Sequence, residues 1–191
     1  TGQLTSYATD QNVAHQIWKG LPATLSLCIG AAVLWMALAV WFGYLSAVRA
    51  GGFTDRALTI IALIGISMPV FWLAAILLYF FSFKVQVFPT GSYVPLTEDP
   101  AQWAYHLVLP WITLAVLYVG FYSRVLRSNM LDAMNEDYVR TARAKGLSER
   151  QVRLRHVLRN SMIPIVTLFG LDFGAVVGGG AILTETVFNI N

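Results

Sequence analysis

Asn135-Glu-Asp-Tyr-Val-Arg-Thr-Ala-Arg-Ala-Lys-Gly-Leu-Ser-Glu-Arg-Gln-Val-Arg-Leu-Arg-His-Val-Leu-Arg-Asn-Ser-Met-Ile-Pro164 is the one long polar stretch between apolar spans, and it carries seven Lys or Arg residues. It reads as two short helices hinged at a glycine. Asn135 is placed to cap the first helix, with Glu136 and Asp137 in the first turn, where acids suit the positive end of the helix dipole. Lys145 closes that helix, and Gly146 stands where a left-handed C-terminal residue is wanted. Ser148 starts the second helix, and Gln151 three residues on completes a capping box. Glu136–Arg140 and Glu149–Arg153 are (i, i+4) pairs in the favourable order. A compact helix–Gly–helix knuckle of this kind, at about residues 135–160, is a docking surface.

The chain on either side is apolar. Hydrophobic residues make up 57% of the sequence and charged residues only 12%, and mean hydropathy is +0.61. Those values belong to a polytopic membrane protein. Four spans are expected, at about 20–48, 57–83, 104–130 and 160–184. Eleven of the thirteen Lys/Arg lie at Arg49, Arg56 or between Arg124 and Arg159. That asymmetry reads as a cytoplasmic face rather than as a nucleic-acid surface. Thr1 to Lys19, Lys84 to Trp103 and the polar end from Glu185 are then external, and Thr1 to Lys19 is an interfacial lead-in. With Thr1 first and no signal-peptide pattern, the chain is expected to begin inside a longer sequence. Residues 1–191 are expected to form a single transmembrane domain.

Two features of the spans bear on transport. Pro69 sits mid-span, where it removes a backbone hydrogen bond and kinks the helix, with Ser67 nearby to cover a freed carbonyl. Ser67 and Pro69 read either as a bend lining a pathway or as a packing kink. Asp172 stands in the middle of the last span, where a carboxylate costs about 2.5–3.5 kcal/mol to insert and must face protein or water. It is either part of a translocation path or a structural hydrogen-bond partner. Gly170, Gly174 and Gly178, four residues apart, line one face and permit close approach of another helix.

Several chemistries have no motif here. GxxxxGK[ST], HExxH and GxSxG do not occur, and Cys28 is the only cysteine. His106 has no second ligand at a metal spacing, so no metal site is expected. Asp172 lacks the second carboxylate of a protease dyad. An intramembrane hydrolase is therefore disfavoured, and a passive scaffold gives no reason for a capped basic knuckle.

Tyr138-Val-Arg-Thr-Ala-Arg-Ala-Lys-Gly146-Leu147, then Arg155-His156-Val-Leu-Arg159-Asn160 and Ile163-Pro164, strongly resembles the signature loop of binding-protein-dependent ABC importer permeases. It is most similar to the dipeptide, oligopeptide and nickel branch, with Arg140-Thr141-Ala142 where the general signature has Glu-Ala-Ala. Leu21-Pro-Ala-Thr-Leu25, Ser67-Met-Pro-Val-Phe-Trp72 and Gly180-Ala-Ile-Leu-Thr-Glu-Thr-Val-Phe188 agree with the resemblance. It implies an all-α, six-span, type I importer permease of a bacterial or archaeal inner membrane, of which this chain supplies four spans and lacks the first and last. Tyr138, Arg140, Ala142, Arg143, Gly146 and Leu147 would then form the element seated in a separate ATPase subunit, which handles ATP and Mg. Small Ala142 and Gly146 would let the helix seat deeply, with Tyr138, Val139 and Leu147 as apolar contacts. Further implied partners are a second homologous permease and an external solute-binding protein, alongside membrane lipid. The chain itself would bind no cofactor and catalyse nothing. The substrate is a peptide or a related small solute. The alternative function is an ATP-independent channel or secondary transporter, which would need its own coupling groups.

Overall fold

The computed structural model describes residues 13–190, so Thr1 to Asn12 of the expected lead-in lie outside the described residues, and the rest of it, Val13 to Lys19, is the start of the first long helix. Among the described residues every regular element is helical. α1 is Val13–Val48, α2 Phe53–Ser67, α3 Val70–Leu77, α4 Pro100–Ala133, α5 Asp137–Ala144, α6 Glu149–Gln151, α7 Arg159–Ala175 and α8 Ile182–Val187. Wider π turns at Leu78–Lys84, Val152–Leu158 and Val176–Gly180 extend α3, join α6 to α7 and extend α7. Three helices are long and apolar enough to cross a membrane, or four if α2 and α3 together count as one broken span.

α1 and α4 form the centre of the bundle and run parallel. Gly30 lies against Trp111, the ring of Trp35 stacks on Tyr118 at 4.4 Å, and Gly43 lies against Ser123 and Leu126. α2 runs antiparallel to α4, with Gly65 against Val116 and Gly120 against Ala62. α7 is antiparallel to α4 as well, since Tyr122 meets Asp172 while Asn129 meets Ser161. These directions put the Arg49–Gly52 turn and the knuckle at one end of the bundle. The Lys84–Asp99 segment and α8 lie at the other. The alternation expected from the basic loops is the alternation that the helices follow.

Three expectations need correction. Pro69 does not kink a continuous helix; it breaks one. Met68, extended at φ −88° and ψ 125°, is driven out of the helical region by the following proline ring. α2 and the helix beginning at Val70 meet at 102°. Second, the knuckle's second helix is not short. It is the start of one 32-residue helix, Glu149–Gly180, that runs on through the last span. Third, the polar end from Glu185 is partly buried rather than wholly solvent-facing. Gly179, at φ +146°, turns the chain, and α8 folds back so that Thr184, Glu185, Phe188 and Ile190 are buried.

The glycines of the last span are also placed differently. A Cβ built at Gly170, Gly174 or Gly178 meets nothing within 4 Å, so this stripe packs no helix among the described residues. The close approaches fall at Gly120, where a Cβ would stand 2.6 Å from the carbonyl oxygen of Ala62, and at Gly43, 2.8 Å from that of Ser123. Small residues bring backbones together where helices cross, and here the crossings involve α4.

Candidate coupling surface and membrane path

The knuckle is built largely as its sequence dictates. The Ser148 hydroxyl accepts from the Gln151 N–H at 3.4 Å, and the Gln151 side chain accepts from the Ser148 N–H at 3.2 Å. That closes the capping box and starts the long helix. Gly146 takes φ +79°, the left-handed geometry in which a side chain would be strained.

The first cap and the ion pairs differ from expectation. Glu136, not Asn135, is the N-cap of α5, and it makes no side-chain cap bond. The Asn135 amide instead donates back to the Leu131 carbonyl at 3.0 Å, because α4 extends almost to it. Arg140 pairs with Asp137 at 3.4 Å rather than with Glu136. The Glu149 carboxylate takes Arg143 at 2.8 Å across the hinge, leaving Arg153 only the Glu149 backbone carbonyl. That bridge joins α5 to the long helix, so the hinge is tied on both sides.

α5 presents two different faces. Val139 (0% exposed) and Ala142 (4%) are turned into the bundle, in one apolar cluster with Val152, Val157, Tyr122, Leu126 and Met130. Ala142 and Val139 are therefore not outward contacts, as the sequence suggested; they anchor the knuckle to its own helices. Arg140, Thr141, Arg143, Lys145 and Gly146 are exposed, while Tyr138 and Leu147 are half-buried at the margin. Nothing lies within 4 Å of a Cβ built at Gly146.

The proposed path residues are not brought together. Asp172, half-buried, accepts a hydrogen bond from the Tyr122 hydroxyl at 2.6 Å on Oδ2. Gly120 and Tyr122, two residues apart, point about 160° away from each other around α4. The face that meets α2 is thus nearly opposite the face that meets Asp172. Ser67 and Pro69, both exposed, lie at the far end of α2, with the Ser67 hydroxyl donating to the Leu63 carbonyl at 2.8 Å.

Sequence reasoning passed over the strongest ionic contact of this end. Asp55 (4% exposed) accepts two parallel bonds from Arg127, at 2.6 and 2.7 Å, a third from the Gly51 N–H at 2.8 Å, and a fourth from the Ser46 hydroxyl. A buried carboxylate is tolerated when each oxygen is matched in this way. The only hint in the sequence was one acid in an otherwise basic turn. At the opposite end, His106 Nδ1 lies 3.1 Å from the Gly91 carbonyl and helps pin the outer loop. Among the described residues no group of three His, Cys, Asp or Glu could hold a metal ion.

The helices are apolar, and a glycine-centred knuckle closes the basic end of the bundle. Residues 39–191 match the family described as "Binding-protein-dependent transport system inner membrane component". The chain belongs to that family. It is 43% identical over 185 residues to a probable peptide ABC transporter permease protein of Sinorhizobium fredii, covering 97% of this chain and 59% of that protein. It is 39% identical over 182 residues to a putative peptide permease protein of Brucella ovis, covering 94% and 57%. It is 38% identical over 178 residues to the oligopeptide transport system permease protein AppB of Bacillus subtilis, covering 92% and 56%. The chain thus spans less than two thirds of the length of these curated relatives. Family membership makes the helical bundle a type I ABC permease fold and an inner-membrane, multi-pass component of a transport system.

Proposed function

We propose that this chain is the membrane body of a permease subunit in an ATP-driven importer. It forms part of the path for peptides, and a separate ATPase subunit drives it through α5 and Gly146. A second permease completes the path, and an external binding protein delivers the solute. ATP and Mg are used by the ATPase, and this chain needs no cofactor. The peptide class is supported by the names of the relatives.

One observation carries the reading. The inner face of α5 shares a buried cluster with the long helix through Val152 and Val157, while its outer face is open. A push on α5 is therefore passed to the helix that runs from Glu149 to the Gly179 turn rather than to a loose loop. At about 1.5 Å per residue the run from Glu149 to Gly178 is about 45 Å long, enough to reach from the cytoplasmic surface past Asp172 to the outer half of the bilayer.

Along the path, Asp172 is our candidate for holding the cationic end of a solute. Its Oδ1 accepts no hydrogen bond from the described residues.

In the full-length complex, Gly146→Arg should abolish solute-stimulated ATP hydrolysis while membrane insertion stays normal. Gly146→Asn, which tolerates the left-handed conformation, should keep most of it. Normal coupled turnover in Gly146→Arg would remove the docking assignment. The channel alternative is tested in parallel, because uptake that survives an inactivated ATPase belongs to an uncoupled transporter.

A further inference from the structure

Where the long helix passes from water to apolar surroundings, its outer face opens a broad basin lined by Leu154, Arg155, His156, Arg159 and Asn160. No acidic residue lines it. Neither Arg155 nor Arg159 has a hydrogen-bond or ion-pair partner among the described residues. Both are exposed, about 9 Å and about 15 Å along the helix from its start at Glu149, so they sit at the end of the knuckle that enters the bundle, away from α5 and Gly146.

The same face continues in one direction only. Counting 100° per residue, Arg155, Arg159, Ile163, Val166 and Gly170 fall within a strip about 80° wide. Ile163 and Val166 are 66% and 60% exposed, and nothing stands over Gly170. Two unpaired guanidiniums are followed, one turn deeper, by a smooth uncovered apolar track. That order matches a phosphodiester head with an acyl chain beneath it, because guanidinium forks suit phosphate oxygens and the bare track suits hydrocarbon. A protein helix laid on this strip would need acids to meet the arginines.

We infer that Arg155 and Arg159 hold the headgroup phosphate of an anionic phospholipid whose acyl chain lies along Ile163, Val166 and Gly170. The site rests on the chain's place in the membrane and not on the import reading.

The test uses the full-length protein reconstituted in nanodiscs of phosphatidylethanolamine with a minority of phosphatidylglycerol, with retained lipid read by native mass spectrometry. The unmodified protein should retain phosphatidylglycerol above its share of the bilayer. Each arginine is expected to contribute roughly fivefold, so R155Q/R159Q should lower that enrichment on the order of tenfold or more. R150Q, at the capped start of the helix, should leave it unchanged, and inorganic phosphate should not displace the lipid. Should R155Q/R159Q fail to assemble, a photoreactive residue replacing Val166, with both arginines intact, must capture lipid. Equal enrichment in R155Q/R159Q, displacement by phosphate alone, or capture of a protein at position 166 would each overturn the assignment.

Discussion

Asp55 has four donors on two oxygens and almost no solvent, so removing its charge leaves the Arg127 guanidinium half-enclosed without a counter-ion. Breaking a buried pair by deleting one partner costs about 3–5 kcal/mol. Asp55→Asn should therefore lower thermal stability of the detergent-solubilised protein sharply. Arg127→Lys should do less damage but still lose the two-pronged contact. A melting curve for Asp55→Asn that overlays the unmodified one would show that the lock contributes nothing. A similar argument applies to Tyr122 and Asp172, which meet at 2.6 Å between α4 and α7. Tyr122→Phe and Asp172→Asn should be non-additive in stability, with a coupling of about 0.5–3 kcal/mol. Additive effects would mean that the pair is incidental. If Asp172→Asn lowers uptake of cationic peptides while Tyr122→Phe spares it, the carboxylate acts on the solute as well as on the fold.

At the scale of elements, the helix crossings separate two kinds of glycine. Gly120→Val would drive a side chain into the Ala62 backbone, which cannot move aside cheaply, and should cost about 1–3 kcal/mol. Gly174→Ala meets open space among the described residues and should be close to neutral for the isolated subunit. Measuring both melting temperatures side by side settles the contrast, and an equal loss would place a helix of the longer protein over Gly174. The break between α2 and α3 makes a separate claim. If the proline holds Met68 extended, Pro69→Ala should let the segments straighten and lengthen the distance between spin labels at Leu63 and Ile76. An unchanged distance would assign the 102° bend to packing of α3 on α4 and α8 instead.

Over the whole molecule, two packed clusters that meet at Met36, Tyr118 and Phe169 connect the basic end to the other end. Val139 and Ala142 of α5 belong to the same cluster as Ala39 and Ala47 of α1 and Tyr122 of α4. The outer cluster joins α1 and α4 to Phe188 behind the Gly179 turn. Asn189, just past α8, accepts from the Ser92 N–H at 3.1 Å, which fastens that turn to the external loop. A subunit driven at α5 should therefore respond as a unit. Gly146→Arg should lose coupling while both clusters stay packed, read as failed ATPase stimulation beside a melting loss no larger than about 1–2 kcal/mol, the cost of a left-handed side chain.

The sequence by itself determined the all-helical, apolar character of the chain, the basic end, the capping box at Ser148 and the left-handed Gly146. Each depends on local periodicity or on a residue's own backbone preference. It also contained a signal that went unread: Ala23, Leu27, Ala31, Trp35, Ala39, Gly43 and Ala47, four apart along α1, are all buried. Only the tertiary structure decided which faces meet, because lipid-facing and protein-facing positions of a span are equally apolar and hydrophobicity cannot tell them apart. Hence the glycine stripe of the last span stood open, Ala142 turned inward, and the partners of Asp55 and Asp172 lay 72 and 50 residues away along the chain, at Arg127 and Tyr122.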